Sequence, residues 1–159
     1  MHLLYSIHRL ALLAMLSGVA GCAGNAAVVH GGPVSKSPLP PELLIGGFMD
    51  DYGIQYSISA NEWHQLPATR YQVIEWHVDG QYLIARNNAA NPSAPGLFTR
   101  IDWMLMPGMP PWEWGFCLSA YKAPTAAEAE RTDIARRQMP LTGCNGHPFS
   151  RMQRIAPST

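Results

Sequence analysis

The stretch from residue 71 to residue 87 constrains the fold of this chain more than any other. Two apolar-patterned segments, 71–78 and 81–87, flank the dipeptide Asp79-Gly80, which is a strong signal for a two-residue β-hairpin turn. Such a turn fixes the register, because a slip of one residue would exchange the two faces of each strand. The expected cross-strand pairs are Val78 with Gln81, His77 with Tyr82, Trp76 with Leu83, Glu75 with Ile84, and Ile74 with Ala85.

Four further segments show the pattern of strands. Residues 52–58 and 112–121 alternate apolar with polar or small side chains, whereas 43–49 and 97–106 are more uniformly apolar. Six strands joined mostly by short turns predict an antiparallel sheet curled into a small barrel or sandwich. The segment 61–69 is expected to be a connection. The C-terminal tail is expected to dock onto the domain through Phe149, Met152 and Ile155.

One helix is predicted after the strands. Thr125-Ala126-Ala127-Glu128 has the form of a capping box, the run to Arg137 favours a helix, and Pro140 marks its end. The chain is therefore expected to be mainly β with one C-terminal helix. This order of elements is that of a lipocalin-like fold, by analogy of architecture alone, because the sequence has no lipocalin motif.

The first 22 residues have the organisation of a secretory signal. Arg9 supplies a positive charge, 10–16 are apolar, and small residues follow. The run Val19-Ala20-Gly21-Cys22 resembles the lipobox of bacterial lipoproteins; the other interpretation is a plain secretory signal with an accidental cysteine. The resemblance covers residues 1–22 only, and it implies cleavage before Cys22, a diacylglyceryl thioether on its sulfur, and acylation, with palmitate for example, of the new N-terminus. Several acyl chains hold a protein on a membrane essentially permanently.

The resemblance also indicates a location and a domain plan. Lipoproteins with Asp directly after the cysteine tend to stay in the inner membrane, whereas this chain has Ala23 and Gly24. We therefore expect an outer-membrane anchor facing the periplasm. The expected plan is a signal peptide over 1–21, the lipidated cysteine and a flexible tether over 22–41, and a single β-rich domain over 42–159. The tether is rich in Gly, Ala, Ser and Pro and has a reach of about 25 Å as a flexible coil.

The cysteines support the same compartment. The chain has three, and lipidation of Cys22 leaves Cys117 and Cys144. An even pair in an oxidising compartment predicts a disulfide, which closes a loop of about 27 residues. The alternatives are two buried thiols or a metal site. The strand pattern puts Cys117 on the face opposite the Trp114 and Phe116 stripe, so a bridged tail is expected to cross the outside of the sheet.

Charge gives little indication of a macromolecular partner. The chain has 11 basic and 11 acidic residues, so nucleic acid is not an expected partner. The region from 134 to 159 has no acid, and its arginines either contact an anionic membrane or form a solvated face. They are Arg136, Arg137, Arg151 and Arg154.

Few residues suggest chemistry. His64 or His77 together with Asp102 is the best candidate for a catalytic pair, which would make the chain an envelope hydrolase. The same histidines with Asp50, Asp51 or Asp102 have the donor types of a zinc site, yet no spacing brings them together. No metal or cofactor is therefore expected. Arg100 and Asp102 stand two apart on one strand face, which favours a structural ion pair over a site.

The aromatic residues are more informative. The possible ligand or partner surface consists of Trp76, Trp103, Trp112 and Trp114, and the alternative is ordinary core packing. The leading expectation for function is non-catalytic: a membrane-anchored envelope lipoprotein that binds a small apolar ligand or an envelope protein. The alternatives are an envelope hydrolase that uses the His/Asp pair and a purely structural lipoprotein.

Overall fold

The computed structural model describes residues 40–155. Their architecture is a closed barrel in which eight antiparallel strands pair in chain order and the last strand returns to the first. A 3-10 helix, Glu42–Leu44, precedes the barrel, and one short α-helix follows the seventh strand. The bounds are β1 Gly46–Asp50, β2 Gln55–Ile58, β3 Glu62–Gln65, β4 Thr69–His77, β5 Tyr82–Asn87, β6 Phe98–Leu105, β7 Trp114–Ala123, α1 Ala126–Arg131 and β8 Ser150–Arg154.

The prediction of a mainly β barrel with one helix is confirmed, but the number of strands was underestimated. The segment 61–69, expected to be a connection, contains β3, and the C-terminal tail contains β8. The first apolar run is also divided: residues 42–44 form the 3-10 helix and only the following residues are a strand. The predicted signal peptide, Cys22 and the predicted tether up to residue 39 lie outside the described residues.

The central hairpin has the expected register near its turn and a different one farther away. Trp76 faces Leu83, and the pairs on either side of it also agree with the prediction. The pairing of Ile74 with Ala85 is wrong, because a β-bulge leaves Ile74 unpaired and brings Val73 opposite Ala85. The turn is longer than expected: residues 78–81 form it, and Gln81 takes the left-handed conformation with φ 52°.

The barrel interior is packed with aromatic rings. Trp63 and Trp114 lie 5.8 Å apart with an edge-to-face angle of 83°, and both rings also contact Phe116. Phe48 meets Trp114 at 5.1 Å, again edge to face, which is the arrangement that ring quadrupoles favour. Leu44 of the 3-10 helix is fully buried in the same cluster.

The helix is shorter than its sequence suggested. Thr125 caps it by accepting a hydrogen bond from the Glu128 N–H, as the capping box predicts. The prediction of helix as far as Arg137 is wrong, because α1 ends at Arg131. At Thr132 the hydroxyl donates to the Glu128 carbonyl (2.9 Å) while the backbone N–H bonds to Ala129, a local arrangement typical of a helix end.

The tail that follows α1 crosses the outside of the barrel, as expected. A disulfide between Cys117 and Cys144 attaches it to β7, so the predicted bridge is confirmed. The tail covers a second, smaller apolar cluster outside the barrel, which includes Met106 and Phe149. Within residues 40–155, no helix has both the length and the apolarity needed to cross a bilayer.

Candidate functional site

The Asp102 carboxylate is the centre of a polar cluster on the outer face of β6. It is fully buried, and it accepts two hydrogen bonds from the Arg100 guanidinium, at 2.8 and 2.9 Å. Ser119 and Arg137 donate the other two bonds, the latter at 2.9 Å. Because both carboxylate oxygens are satisfied by donors, the cluster has the features of a buried structural ion pair.

Arg137 connects this cluster to the tail and the central hairpin. Its guanidinium also donates to the carbonyls of Gly80, Gln81 and Trp103, at 2.7 to 3.0 Å. One side chain from the tail thus satisfies two carbonyls of the β4–β5 turn, one carbonyl of β6 and a buried carboxylate. Arg137 therefore fixes the tail against the barrel in addition to the disulfide.

His77 and Tyr82 extend the cluster beneath α1. Their rings stack with centroids 4.2 Å apart, and the Arg100 guanidinium lies 4.0 Å from the centre of the Tyr82 ring. The Tyr82 hydroxyl donates to Glu130 at 3.1 Å. Burial, followed by the charge of Glu130 and its hydrogen bond, raises the pKa of Tyr82 to about 12. The phenol therefore stays neutral and holds the helix to the barrel.

The structure does not assemble the candidate catalytic pair. Among the described residues, neither His64 nor His77 hydrogen-bonds to Asp102, whose oxygens are already occupied by Arg100, Arg137 and Ser119. His64 Nε2 lies 3.2 Å from the Pro67 carbonyl, on a strand that does not neighbour β6. His77 Nε2 lies 3.3 Å from Glu75 and 3.9 Å from Glu130. No group of three or more His, Cys, Asp or Glu within residues 40–155 is placed to hold a metal ion.

The four tryptophans do not form one surface. Trp76 and Trp103 are buried against each other, with ring centroids 5.7 Å apart, and Trp114 is fully buried in the aromatic interior. Only Trp112 is partly exposed, and the Arg151 guanidinium lies 5.1 Å from its ring. Trp114 therefore does not contribute to the possible ligand or partner surface, because it occupies an inward-facing position of β7 and belongs to the core.

Three exposed apolar side chains, Tyr52, Met109 and Leu141, line one depression of the surface. This depression of about 370 Å³, here called the Tyr52 groove, lies between the β1–β2 turn, the loop after β6 and the tail. Met106 and Phe149 are its buried residues, and the ion pair of Asp51 with Arg151, at 2.9 Å, stands at its edge. Its other lining residues are Tyr52, Met109, Pro140, Leu141 and Pro148.

A second depression lies on the other side of Tyr52 and Pro148. This Asp50 cleft, also of about 370 Å³, is bordered by the β1–β2 turn, β7 and the disulfide. Asp50 is 3% exposed, and its Oδ1 accepts hydrogen bonds from the backbone N–H groups of Tyr52 and Ile54, at 3.0 and 2.8 Å. Its Oδ2 accepts from the Tyr56 hydroxyl at 2.8 Å. Burial, and then this bond, raise the pKa of the Tyr56 phenol.

Sequence reasoning did not find either depression. Asp50 and Tyr52 belong to a segment that reads as a turn, and Leu141 lies in a tail without periodicity. The surfaces arise because the tail and two loops meet at one end of the barrel, which depends on contacts distant in sequence. Comparison with protein-family models, with curated proteins and with solved structures finds no match to this chain.

Proposed function

We propose that this chain is a lipid-anchored protein of the bacterial envelope whose barrel binds a protein partner through the Tyr52 groove. The observation that carries the proposal is that three of the eight large exposed apolar side chains of the described residues line this one groove. Tyr52 and Leu141 are 72% and 76% exposed, the largest fractions among the exposed large apolar residues, and Met109 lies in the same groove. Exposed apolar side chains gathered in one depression, with a polar rim, are typical of interaction sites.

The closed barrel limits how a partner binds. Each strand of the described barrel is paired on both sides, so within residues 40–155 no barrel strand leaves a free edge for β-addition by another chain. Contact through side chains is the remaining mode, and the groove offers an aromatic ring, two prolines and two flexible apolar side chains for it. Asp51 and Arg151 at the rim supply polar groups that exclude mismatched partners.

The packed interior favours a protein over a small apolar ligand carried inside the barrel. Phe48, Trp63, Trp114 and Phe116 meet ring to ring at 5.1 to 6.4 Å, where a carrier needs a cavity. A partner that binds at the surface needs no cavity inside the barrel. The hydrolase alternative gains nothing from Asp102, because that carboxylate is saturated by structural donors.

The anchor part of the proposal rests on the lipobox resemblance at Cys22. The substitution Cys22→Ser is expected to move the protein from the membrane to the soluble fraction, or to leave it unprocessed, because the thioether cannot form. Fractionation and intact-mass measurement of the two forms test this. A processed Cys22→Ser protein that still sediments with membranes would show that the anchor is elsewhere.

Photo-crosslinking in intact cells tests the groove. A photoreactive side chain at Leu141 is expected to give a discrete crosslinked product, which Tyr52→Asp abolishes. Ile74 is the matched control, because it is 52% exposed on β4, the strand opposite β8 in the closed barrel. Equal products from both positions, or none from Leu141, would contradict partner binding at the groove and leave a purely structural lipoprotein.

A further inference from the structure

The Asp50 cleft contains a buried carboxylate that has hydrogen bonds but no counter-ion. Its three donors are two backbone N–H groups and a phenol, all neutral. Since every one of these groups donates, the Asp50 carboxyl serves only as an acceptor, which is the role of its ionised form. Among residues 40–155, no lysine, arginine or histidine forms an ion pair with it. Neighbouring Asp51, by contrast, is paired with Arg151.

A buried negative charge without a cation is costly, and the surroundings of this one suit a cation. Rings of Tyr52, Tyr56 and Phe116 line the cleft, and the Tyr56 and Phe116 rings meet at 5.6 Å. Aromatic faces attract ammonium groups, most strongly where water is excluded. No lysine or arginine of the described chain lines the cleft. His147 does line it, but it forms no ion pair with Asp50, so no basic side chain among residues 40–155 is paired with this carboxylate.

We propose that the Asp50 cleft binds an alkylammonium group, with the Asp50 carboxylate as counter-ion and the three aromatic rings as walls. The Tyr56 hydroxyl gives its hydrogen to Asp50, so the lone pairs of its oxygen are available to accept a hydrogen bond from the ammonium. Gln65 and Ser150 add polar side chains to the lining. The cleft shares Tyr52 and Pro148 with the groove, but Asp50, Tyr56 and Phe116 line the cleft alone, so the proposal does not require a protein bound in the groove.

Titration of the full-length protein in non-ionic detergent with butylammonium chloride tests the proposal. The backbone amides of Tyr52 and Ile54 report directly on Asp50, because they donate to its carboxylate. Their NMR shifts are expected to change saturably with butylammonium and to stay constant with 1-butanol, which has the same carbon chain without charge. The Arg151 amide, which donates to Asp51, is the internal control and is expected not to move. Absence of a saturable shift, or an equal response to 1-butanol, would overturn the proposal.

Two adjacent carboxylates provide matched variants. Asp50→Asn keeps an acceptor for the backbone amides and removes the charge, so it is expected to weaken butylammonium binding about tenfold or more. Asp51→Asn is expected to change it by less than about twofold, since that carboxylate already has a partner. Equal losses in both variants would show general screening by surface charge and exclude a specific site.

A third variant covers the case in which Asp50→Asn does not fold. Gln65→Lys places an ammonium group of the chain itself at the lining of the cleft. It is expected to abolish the butylammonium response while the circular dichroism spectrum stays that of the parent protein. Unchanged butylammonium binding by a folded Gln65→Lys protein would contradict the assignment.

The same titration identifies the source of the ammonium group. The second probe is the tripeptide Gly-Lys-Gly, blocked at both ends, which presents the group as a protein side chain. Saturation at a lower concentration of tripeptide than of butylammonium supports a lysine of another protein, and the reverse supports a free amine. If neither probe shifts the Tyr52 and Ile54 amides, the cleft is not an ammonium site.

Discussion

Asp102 is fully buried between two arginines, and its neighbour Arg100 has a side chain only 6% exposed. Removing the carboxylate would leave the Arg100 guanidinium in the same place without its bidentate acceptor. Asp102→Ala is therefore expected to lower the free energy of unfolding by about 3–5 kcal/mol, the usual cost of breaking a buried pair by deleting one partner. Urea denaturation of the purified protein measures the difference.

Asp133 offers a control on the same guanidinium. It lies 3.3 Å from Arg100, but its side chain is 64% exposed. Asp133→Ala is expected to cost less than about 1 kcal/mol, because water screens an exposed pair and solvates what is left. A similar loss for both variants would mean that burial does not distinguish the two contacts.

The buried tyrosines determine how the fold responds to alkali. Burial raises the pKa of Tyr71 and, with the Asp50 bond, that of Tyr56, and the pKa of Tyr82 is raised to about 12 from 10.0. A raised pKa means that the folded state binds more protons than the unfolded state between pH 10 and pH 12. The contribution of these tyrosines to stability is thus fully present below pH 10, and it is expected to be lost as pH rises from 10 toward 12.

Tyr82→Phe isolates one contribution to this alkaline loss. The variant keeps the ring that stacks on His77 but lacks the titrating hydroxyl. Its urea midpoint is expected to fall less steeply between pH 10 and 12 than that of the parent. If the urea midpoints of the parent and of Tyr82→Phe fall equally steeply with pH, the Tyr82 hydroxyl has the same pKa in the folded and unfolded states.

At the residue scale, the sequence allowed some of this cluster to be predicted. Arg100 and Asp102 share a strand face because side chains alternate, so their pairing follows from spacing alone. Arg137 was expected inside a helix or on a basic face, and its bonds to Gly80 and Gln81 were not foreseeable. Those bonds join positions more than fifty residues apart, which no local pattern encodes.

Among the elements, β3 and β8 show why two strands escaped prediction. Each strand carries one side chain in the central core, Trp63 in β3 and Met152 in β8, and otherwise only polar residues. Period-2 alternation needs several apolar positions to be visible, so these segments read as connection and tail. They form strands because closing the barrel gives their backbone groups partners on both sides. By contrast, the hairpin of β4 and β5 has enough apolar positions for its pairing to be predicted up to the bulge.

The disulfide between Cys117 and Cys144 holds the tail that follows α1 against β7. It closes a loop of 27 residues between β7 and the tail that carries Phe149 and Arg137. Replacing both cysteines by alanine is expected to cost about 3 kcal/mol on the chain-entropy account of cross-links. Thermal or urea unfolding measures this loss, and limited proteolysis should cut the double variant first between Arg136 and His147. A protease pattern equal to that of the parent would show that Arg137 and Phe149 suffice to hold the tail.

For the molecule as a whole, the main question is whether the barrel encloses a ligand cavity or has an interior packed with its own side chains. Trp114 is fully buried, its ring contacts those of Phe48, Trp63 and Phe116, and the cluster extends to the 3-10 helix at Leu44. Predicting a barrel from alternating strands did not decide this, because inward-facing aromatic residues suit both a ligand cavity and a packed core. The edge-to-face contacts of Phe48 and Trp63 with Trp114 favour a filled interior in this part of the barrel, because each ring has other rings as its neighbours.

Trp114→Ala provides the test of a filled interior. The truncation is expected to cost about 3–5 kcal/mol, because it removes buried apolar contacts and leaves a cavity that a barrel wall cannot collapse to fill. Indole has the shape of the deleted ring and is expected to raise the melting temperature of Trp114→Ala in proportion to its concentration, since it binds only the folded state. Trp112→Ala is the matched control: its ring is partly exposed against Arg151, so the loss is expected to be below about 2 kcal/mol, with no rescue by indole. Strong binding of indole by the unmodified protein would instead show a cavity already present, and the barrel would then be a carrier.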